Sequence, residues 1–335
     1  MREKYSEGVS VIIATLVLIV VAVIGAISVA YIMGAFSTNV SKQINPPQAT
    51  TTGPGNQILI TDSPLSRDID QQLASQYMAG HRGVDIITKD CPDDEAAIMA
   101  LNQNITDIAV LSQTPGPVLL FEYPNLQARI IGGRAIVIIA NVNLNISSLS
   151  QSDLSNVYSN TKKSVPANLT GLTTAIRNND GKGSEMIFAG WLTDGAASSL
   201  DDYMATPTGV SGYTASSESD VLAKVSSTPG AIGFIDWGYV ANNNPSTSHI
   251  KVIPIINKNN LEVQTPDVNG IKNELVNMNN NYYDDGLISQ LYYTTNANGQ
   301  SGSPASDYIN WARSSEGSSQ MDILGMYGAV DLGIT

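Results

Sequence analysis

A long uncharged segment near the N-terminus constrains this chain more than any other feature. The 28 residues from Val9 to Phe36 contain no Asp, Glu, Lys or Arg, and they are apolar on every side of a helix. As a helix this segment would be about 42 Å long, which exceeds the roughly 30 Å of a membrane's hydrocarbon core. Gly25 and Gly34 would let neighbouring helices approach closely. The sequence therefore predicts an α-helix over residues 9–45 that lies in a membrane or packs against copies of itself.

The residues before this segment differ from an ordinary secretory signal. Such a signal has an apolar core of about 7–15 residues, followed by small residues at the cleavage site. Here the apolar segment is too long, and the small residue Gly8 precedes it. The sequence Gly-Val-Ser-Val-Ile-Ile-Ala-Thr-Leu at residues 8–16 resembles the class III signal peptide of archaeal type IV pilins, although Val11 stands where that family usually has Pro. The resemblance implies that residues 1–8 are removed by cleavage between Gly8 and Val9. An uncleaved membrane anchor is the alternative.

Charge and residue usage exclude several classes of function. The net charge is −13 and the isoelectric point is about 4.4, which argues against binding to nucleic acid or to anionic lipid surfaces. Cys91 is the single cysteine, which excludes an intrachain disulfide framework and favours a small buried apolar role. His81 and His249 lack the spacing of a zinc site or of a Ser-His-Asp triad. We therefore predict a protein that is not an enzyme and has no metal site and no cofactor.

Four asparagines lie in Asn-x-Ser/Thr sequons. They are Asn39, Asn104, Asn145 and Asn168. Outside the cell, each would be open to glycosylation if it lies in a surface loop. The sequence predicts four candidate glycosylation sites.

After a Pro- and Gly-rich linker at residues 46–56, strand and helix patterns alternate along the chain. Predicted strands cover residues 57–61, 84–88, 107–111, 172–177, 231–235, 251–256 and 287–294. One predicted helix follows a turn at 62–65, a second starts at Pro92, and four more occupy 150–158, 182–191, 217–224 and 304–314. Residues 129–141 are long for one strand and are predicted to cross between two lobes. This alternation predicts parallel pairing in an α/β sheet.

Five landmarks then occur in the order found in one known family. They are a Leu-Ser helix start, an Arg-led loop with Gly-Ser, a Pro-Gly-Ala-Ile-Gly strand, a late Leu-Tyr strand and a Trp-containing helix, at residues 149–159, 177–188, 229–234, 286–292 and 309–317. On these landmarks residues 57–335 resemble the phosphate-binding proteins of ABC uptake systems. The resemblance implies a two-lobed type II periplasmic-binding-protein fold with a ligand cleft between the lobes. Lobe 1 would span about 57–132 and 241–335, and lobe 2 about 133–240.

The resemblance also implies where an anion would bind. In this family helix N-terminal amides, hydroxyl groups and an arginine hold the anion. The matching positions are Ser63, Ser66, Arg177, Lys182, Gly183 and Ser184. A second anion loop is replaced by the acidic residues 90–95, and a third reads Ser112-Gln113. Because the acids would repel phosphate, we expect a degenerate anion pocket; another small ligand, a cation at these acids, or a solvated helix start are the alternatives.

Two functions fit these features. In the favoured one, the chain is a structural subunit of an extracellular, archaeal type IV pilus-like filament. Its helices would leave the membrane and pack with copies of themselves, and the two-lobed domain would face outward for adhesion or scaffolding. In the alternative, the helix is a permanent anchor and the chain is a membrane-anchored phosphate- or anion-binding protein of an ABC uptake system. Both predict a location at the cell surface and no nucleic-acid partner.

Overall fold

The computed structural model describes residues 56–158, 163–178, 183–197, 199–200, 205–242, 249–278, 282–296 and 303–334. The predicted leader, the apolar helix, almost all of the linker, Asn39 and Lys182 lie outside these residues. In the part of the chain that is described, no helix is long and apolar enough to span a membrane.

The described elements alternate between strands and helices. In chain order they are β1 (Gln57–Asp62), α1 (Arg67–Gly80), β2 (Asp85–Asp90), α2 (Asp94–Asn102), β3 (Ile108–Leu111), α3 (Pro117–Glu122), β4 (Leu126–Asn141), β5 (Leu149–Ser150), α4 (Gln151–Val157), β6 (Thr174–Asn178), α5 (Gly183–Leu192), β7 (Ser211–Ala215), α6 (Glu218–Ser227), β8 (Ala231–Asp236), α7 (Trp237–Asn242), β9 (Ile250–Ile253), β10 (Ile255–Ile256), β11 (Val263–Gln264), α8 (Val268–Val276), β12 (Ile288–Asn296), α9 (Pro304–Ala312), α10 (Ser315–Ile323) and β13 (Tyr327–Gly328). Two short 3-10 helices cover Ala167–Leu169 and Asp285–Leu287.

Most of the described strands form one sheet with the order β2-β1-β3-β12-β4-β8-β6-β7, and β9 and β13 also pair with β4. Strands β1, β2 and β3 pair in parallel, as do β6, β7 and β8. Such parallel pairing requires crossover connections, and helices α1, α2, α5 and α6 supply them. The α/β architecture predicted from the alternating pattern is confirmed. Each parallel group is the centre of one lobe.

Strand β4 belongs to both lobes. Its first part pairs antiparallel with β12, and its last residues pair with β8 and β9. Residues Ile131 to Asn141 are buried without interruption, as expected for a strand that is covered on both faces. The predicted crossing segment is therefore part of one 16-residue strand.

One predicted strand is divided in two. Residues 251–256 form the end of β9, which pairs with β4, and then β10, which pairs with β5 and β11 in a separate sheet. Pro254 lies between them and has no amide donor to continue the pairing with β4. The chain therefore changes sheets at this proline.

We predict that Gly133→Ala will destabilise the protein where β4 passes between the lobes. A Cβ at this position would lie 2.5 Å from Leu275 Cδ2 and 2.7 Å from the Ser289 carbonyl oxygen. Since neither the core nor the paired strand can move freely, the free energy of unfolding should fall by about 1–3 kcal/mol. Gly80→Ala is the control, because no atom lies within 4 Å of its new Cβ. Denaturant unfolding of both variants measures the difference. Equal stability of the two variants would contradict the close packing of β4 at Gly133.

Candidate functional site

A cleft opens where the carboxyl ends of β1, β2 and β3 face α5 of the other lobe. In α/β folds this edge of the sheet is where ligands usually bind. The cleft holds two adjoining cavities of about 640 and about 430 Å³. Both are lined by Leu65, Ser112, Gln113, Met186, Gly190 and Gly195.

The larger cavity, here called the acidic chamber, is further lined by Ser63, Pro64, Pro92, Asp93, Asp94, Glu95, Leu119 and Ala197. Asp93 caps α2 by accepting a 2.8 Å hydrogen bond from the Ala96 amide. Asp94 Oδ2 accepts from both the amide and the hydroxyl of Ser112 at 2.9 Å, and burial raises the pKa of Asp94. The acids thus stabilise the start of α2, and among the described residues that line this chamber there is no Lys or Arg. The chamber is an unfavourable place for an anion.

Among the described residues, the sequence-predicted anion residues do not share either of these two chambers. Ser63 lines the acidic chamber, whereas Ser66, Arg177, Gly183 and Ser184 line neither chamber. The Ser66 hydroxyl donates to the Ser63 carbonyl oxygen at 3.1 Å, and Asn178 Nδ2 donates to the Ser184 hydroxyl at 3.4 Å. Arg177 lies 4.0 Å from the carboxylate of Glu185.

Arg134, which sequence reasoning missed, occupies the space between the lobes. It lies on β4 and is 2% exposed. Its Nη2 donates to Asp68 Oδ2 at 2.8 Å, and its Nε lies 3.9 Å from Asp236 Oδ1. Burial lowers the pKa of Arg134, but the carboxylates of Asp236 and Asp68 outweigh burial and raise the pKa above its usual value. Its one sequence signal was a charged residue within residues 130–140, which are otherwise apolar.

The start of α5 packs directly onto this arginine. A Cβ at Gly183 would lie 2.2 Å from the Leu65 carbonyl oxygen and 2.5 Å from Arg134 Nη1. Gly183, the Leu65 carbonyl oxygen and the Arg134 guanidinium are therefore in close contact.

The smaller cavity, here called the tryptophan chamber, is further lined by Ile187, Trp191, Asp194, Lys258, Met278, Asp285, Gly286, Ile288 and Ser289. Lys258 Nζ pairs with Asp194 Oδ1 at 3.1 Å, and Gln151 Nε2 donates to the same oxygen at 3.0 Å. The residues that line only this chamber come from four separate parts of the chain, 187–194, 258, 278 and 285–289, so no local sequence motif predicted them.

The candidate glycosylation sites that the structure describes are all exposed: Asn104, Asn145 and Asn168. Asn168 Nδ2 donates to Asp153 Oδ2 at 3.0 Å, and the hydroxyl of Thr106, the third residue of the Asn104 sequon, is buried against the Leu59 carbonyl oxygen at 2.7 Å. Cys91 is buried, as expected. Within the described residues there is no cluster of three or more His, Cys, Asp or Glu that could hold a metal ion.

A model of one protein family, described as the PBP superfamily domain, matches residues 47–316. The chain belongs to the PBP superfamily. Similar solved structures include a possible phosphate binding protein from Planctomyces limnophilus, with 14% identity, a TM-score of 0.66, and coverage of 85% of this chain and 97% of that one. An ABC-type phosphate transport receptor from Vibrio cholerae has 16% identity, a TM-score of 0.54, and coverage of 81% and 99%.

PstS from Borrelia burgdorferi is also similar, with 15% identity, a TM-score of 0.54, and coverage of 82% of this chain and 98% of that chain. At these identities the likeness shows that the fold is shared. The two-lobed binding-protein fold predicted from the sequence landmarks is confirmed. No curated protein sequence matches the chain.

Asp62 adds a pH-dependent group beside the cleft of this PBP-superfamily protein. It ends β1, is 1% exposed, and lies opposite Asp90 in the parallel register of β1 and β2. Burial, and then the charge of Asp90, raise the pKa of Asp62 from 3.8 to about 7, although Arg67 acts in the opposite direction. Arg67 Nε pairs with Asp90 at 2.6 Å, and the buried carboxyl of Asp70 lies on the same helix.

We predict that Asp62→Asn will stabilise the protein more at about pH 8 than at about pH 5. The folded protein keeps the Asp62 proton up to about pH 7, whereas the unfolded chain releases it near 3.8. The stability that comes from this group is therefore present at low pH and is lost as the pH rises through 7. Denaturant unfolding at both pH values measures the effect. Asp85→Asn, at the half-buried start of β2, makes the same charge change and is the control. A pH-independent effect of Asp62→Asn would contradict the prediction.

Proposed function

We propose that this chain is a solute-binding receptor at the cell surface, tethered by its apolar N-terminal segment and binding a small solute between its lobes. The observation that carries this proposal is the continuous cleft at the carboxyl ends of β1, β2 and β3, closed from the other side by α5. Membership of the PBP superfamily supports it. The apolar segment from Val9 to Phe36 supports the tether.

The ligand that we propose is a polar solute other than free phosphate. Several similar structures carry phosphate in their names, but the cleft of this chain has the wrong charge for that ion. Asp93, Asp94 and Glu95 line one chamber, and the only described cation in the other, Lys258, is paired with Asp194. These carboxylates repel an anion.

We predict that the detergent-solubilised full chain will bind a neutral or cationic solute but not inorganic phosphate. Calorimetry against amino acids, polyamines, sugars and phosphate tests this. Gly190→Leu should abolish binding of any active solute, because Gly190 lines both chambers and a leucine side chain would fill space in them. The backbone can accept this side chain, since the new Cβ would make only an ordinary contact, 3.9 Å from the Ala197 carbonyl oxygen. Gly80→Leu, at the exposed end of α1, is the control.

Two results would count against this proposal. Saturable phosphate binding that Gly190→Leu removes would overturn the choice of ligand. Absence of binding by every solute in the panel would overturn the receptor function itself.

A second candidate function is a subunit of a type IV pilus-like filament, and the pilin-like sequence around Gly8 and Val9 favours it. Packing apolar helices of many copies would stabilise such a filament by about 25 cal/mol per Å² of buried apolar surface. The helix contact would be head-to-tail and would therefore propagate without closing. The receptor domain would then face outward along the fibre.

For this second candidate, we predict that protein isolated from the producing cells begins at Val9. N-terminal sequencing measures this directly, and electron microscopy of sheared surface material should show fibres. A mature chain that begins at Met1 and forms no fibres would leave the tethered receptor as the remaining function.

A further inference from the structure

Helix α3 carries an apolar surface that faces solvent. The side chains of Val118 and Phe121 are 77% and 90% exposed, and Leu120 is also exposed. Val118 and Phe121 are three residues apart and are therefore neighbours on one side of the helix. Single exposed apolar residues are common on protein surfaces, whereas a group of them marks an interaction site. We call Val118, Leu120 and Phe121 the Phe121 face.

The other side of α3 is already packed against the protein. Leu119 and Tyr123 contact a buried apolar cluster that is formed mainly by α2 and β3. A rotation of α3 that buried the Phe121 face would therefore expose Leu119 and Tyr123 instead. A cover for the Phe121 face would come from outside lobe 1.

The Phe121 face and the start of β1 lie at the same end of lobe 1. Strands β1, β3 and β4 run in one direction, because β12 pairs antiparallel with both β3 and β4. The strand order β1-β3-β12-β4 separates β1 from β4 by three strand spacings, or about 14 Å. A short turn, closed by a 3.2 Å hydrogen bond from the Leu126 amide to the Tyr123 carbonyl oxygen, joins α3 to β4. Phe121 is therefore near the edge of the sheet where β1 begins.

The chain that precedes β1 indicates what covers this face. The apolar segment from Val9 to Phe36, proposed above as a membrane tether, is joined to Asn56 by residues 37–55. Even fully extended, this connector spans at most about 65 Å. The tether therefore holds the Phe121 face near the bilayer at an effective concentration of about millimolar, at which a small apolar surface is enough for contact.

We propose that the Phe121 face inserts into the interfacial layer of the membrane that holds the tether. This inference rests on the tether in the function proposed above and adds a second contact with the same membrane. Burial of the Val118 and Phe121 side chains among the lipid headgroups and upper acyl chains drives the contact. The net charge of −13, and the exposed Glu122 beside Phe121, oppose anionic lipid, so the membrane surface that we propose is zwitterionic.

Such a contact would orient the receptor. Leu119, between Val118 and Leu120 in the chain, lines the acidic chamber, so the membrane contact and the cleft share one helix. The contact would fix the position of lobe 1 on the bilayer. Closure of the cleft would then be a movement of lobe 2 relative to the membrane.

Lipid quenching of a dye on the full chain tests this contact. Val118→Cys and Leu261→Cys place the dye at side chains of matched exposure, 77% and 76%, on α3 and in the loop between β10 and β11. Cys91 does not compete for the dye, because it is buried and burial raises the pKa of its thiol to about 12. Both labelled chains are reconstituted into phosphatidylcholine vesicles, with and without a nitroxide on the acyl chains. We expect the nitroxide to lower the fluorescence at position 118 about twofold or more and to leave position 261 nearly unchanged.

Substitution of Phe121 decides whether this side chain makes the contact. In the Val118→Cys chain, Phe121→Ser should remove most of the quenching, whereas Phe121→Leu, which keeps an apolar side chain, should preserve it. Leu261→Ser in the same chain is the matched control and should leave the quenching unchanged. Phosphatidylglycerol in place of part of the phosphatidylcholine should weaken the quenching. Equal quenching at positions 118 and 261, unchanged quenching in Phe121→Ser, or a requirement for phosphatidylglycerol would overturn the proposal.

Flotation of the same vesicles in a density gradient separates this proposal from the tether. If the chain floats with the vesicles but the dye at position 118 is not quenched, the tether stands and this proposal fails, with the Phe121 face left for a protein partner or for another segment of the chain. If the chain does not float with the vesicles, the tether is wrong and this proposal fails with it. Solute binding, measured by calorimetry, is independent of both results.

Discussion

The buried guanidinium of Arg134 is the interaction on which the arrangement of the two lobes depends. A buried charge is costly unless it is paired, and here the partners come from both lobes, Asp68 on α1 and Asp236 at the end of β8. The arginine itself lies on β4, the strand that both lobes share. Carboxylates of both lobes therefore face one internal cation on their shared strand.

This bridge changes where a ligand can lie. Gly183 and Leu65 meet over Arg134, so the helix start that would approach an anion is already packed against protein. Open space among the described residues lies in the acidic and tryptophan chambers. On the acidic side, Asp93 and Asp94 stabilise the start of α2 through its dipole and its free amides. The residues that stabilise this helix thus also set the negative potential of the cleft, and fold stability and ligand choice are coupled there.

Local patterns predicted the strands and the helices, because periodicity and turn residues act over a few neighbours, and the family resemblance implied the two lobes. The strand at residues 57–61 and the acidic helix start after Pro92 are examples. Sequence reasoning failed where partners are distant. It treated residues 251–256 as one strand, although Pro254 separates two sheets, and it passed over Arg134, whose partners lie 66 and more residues away. The resemblance also implied Arg177 and Ser184 as anion residues; both are buried and line neither chamber, and their role stays a prediction.

The chemistry of the cleft follows from which polar groups the fold has not already engaged. Asp94 is bonded to Ser112, Asp194 to Lys258, and Ser184 to Asn178, so each has a structural partner. Among the buried side-chain atoms of the described residues that line the cleft, Trp191 Nε1 and Asp285 Oδ1 are the ones without a partner. Both atoms have almost no accessible surface, so their desolvation is a cost to stability that apolar side chains at these positions would not carry.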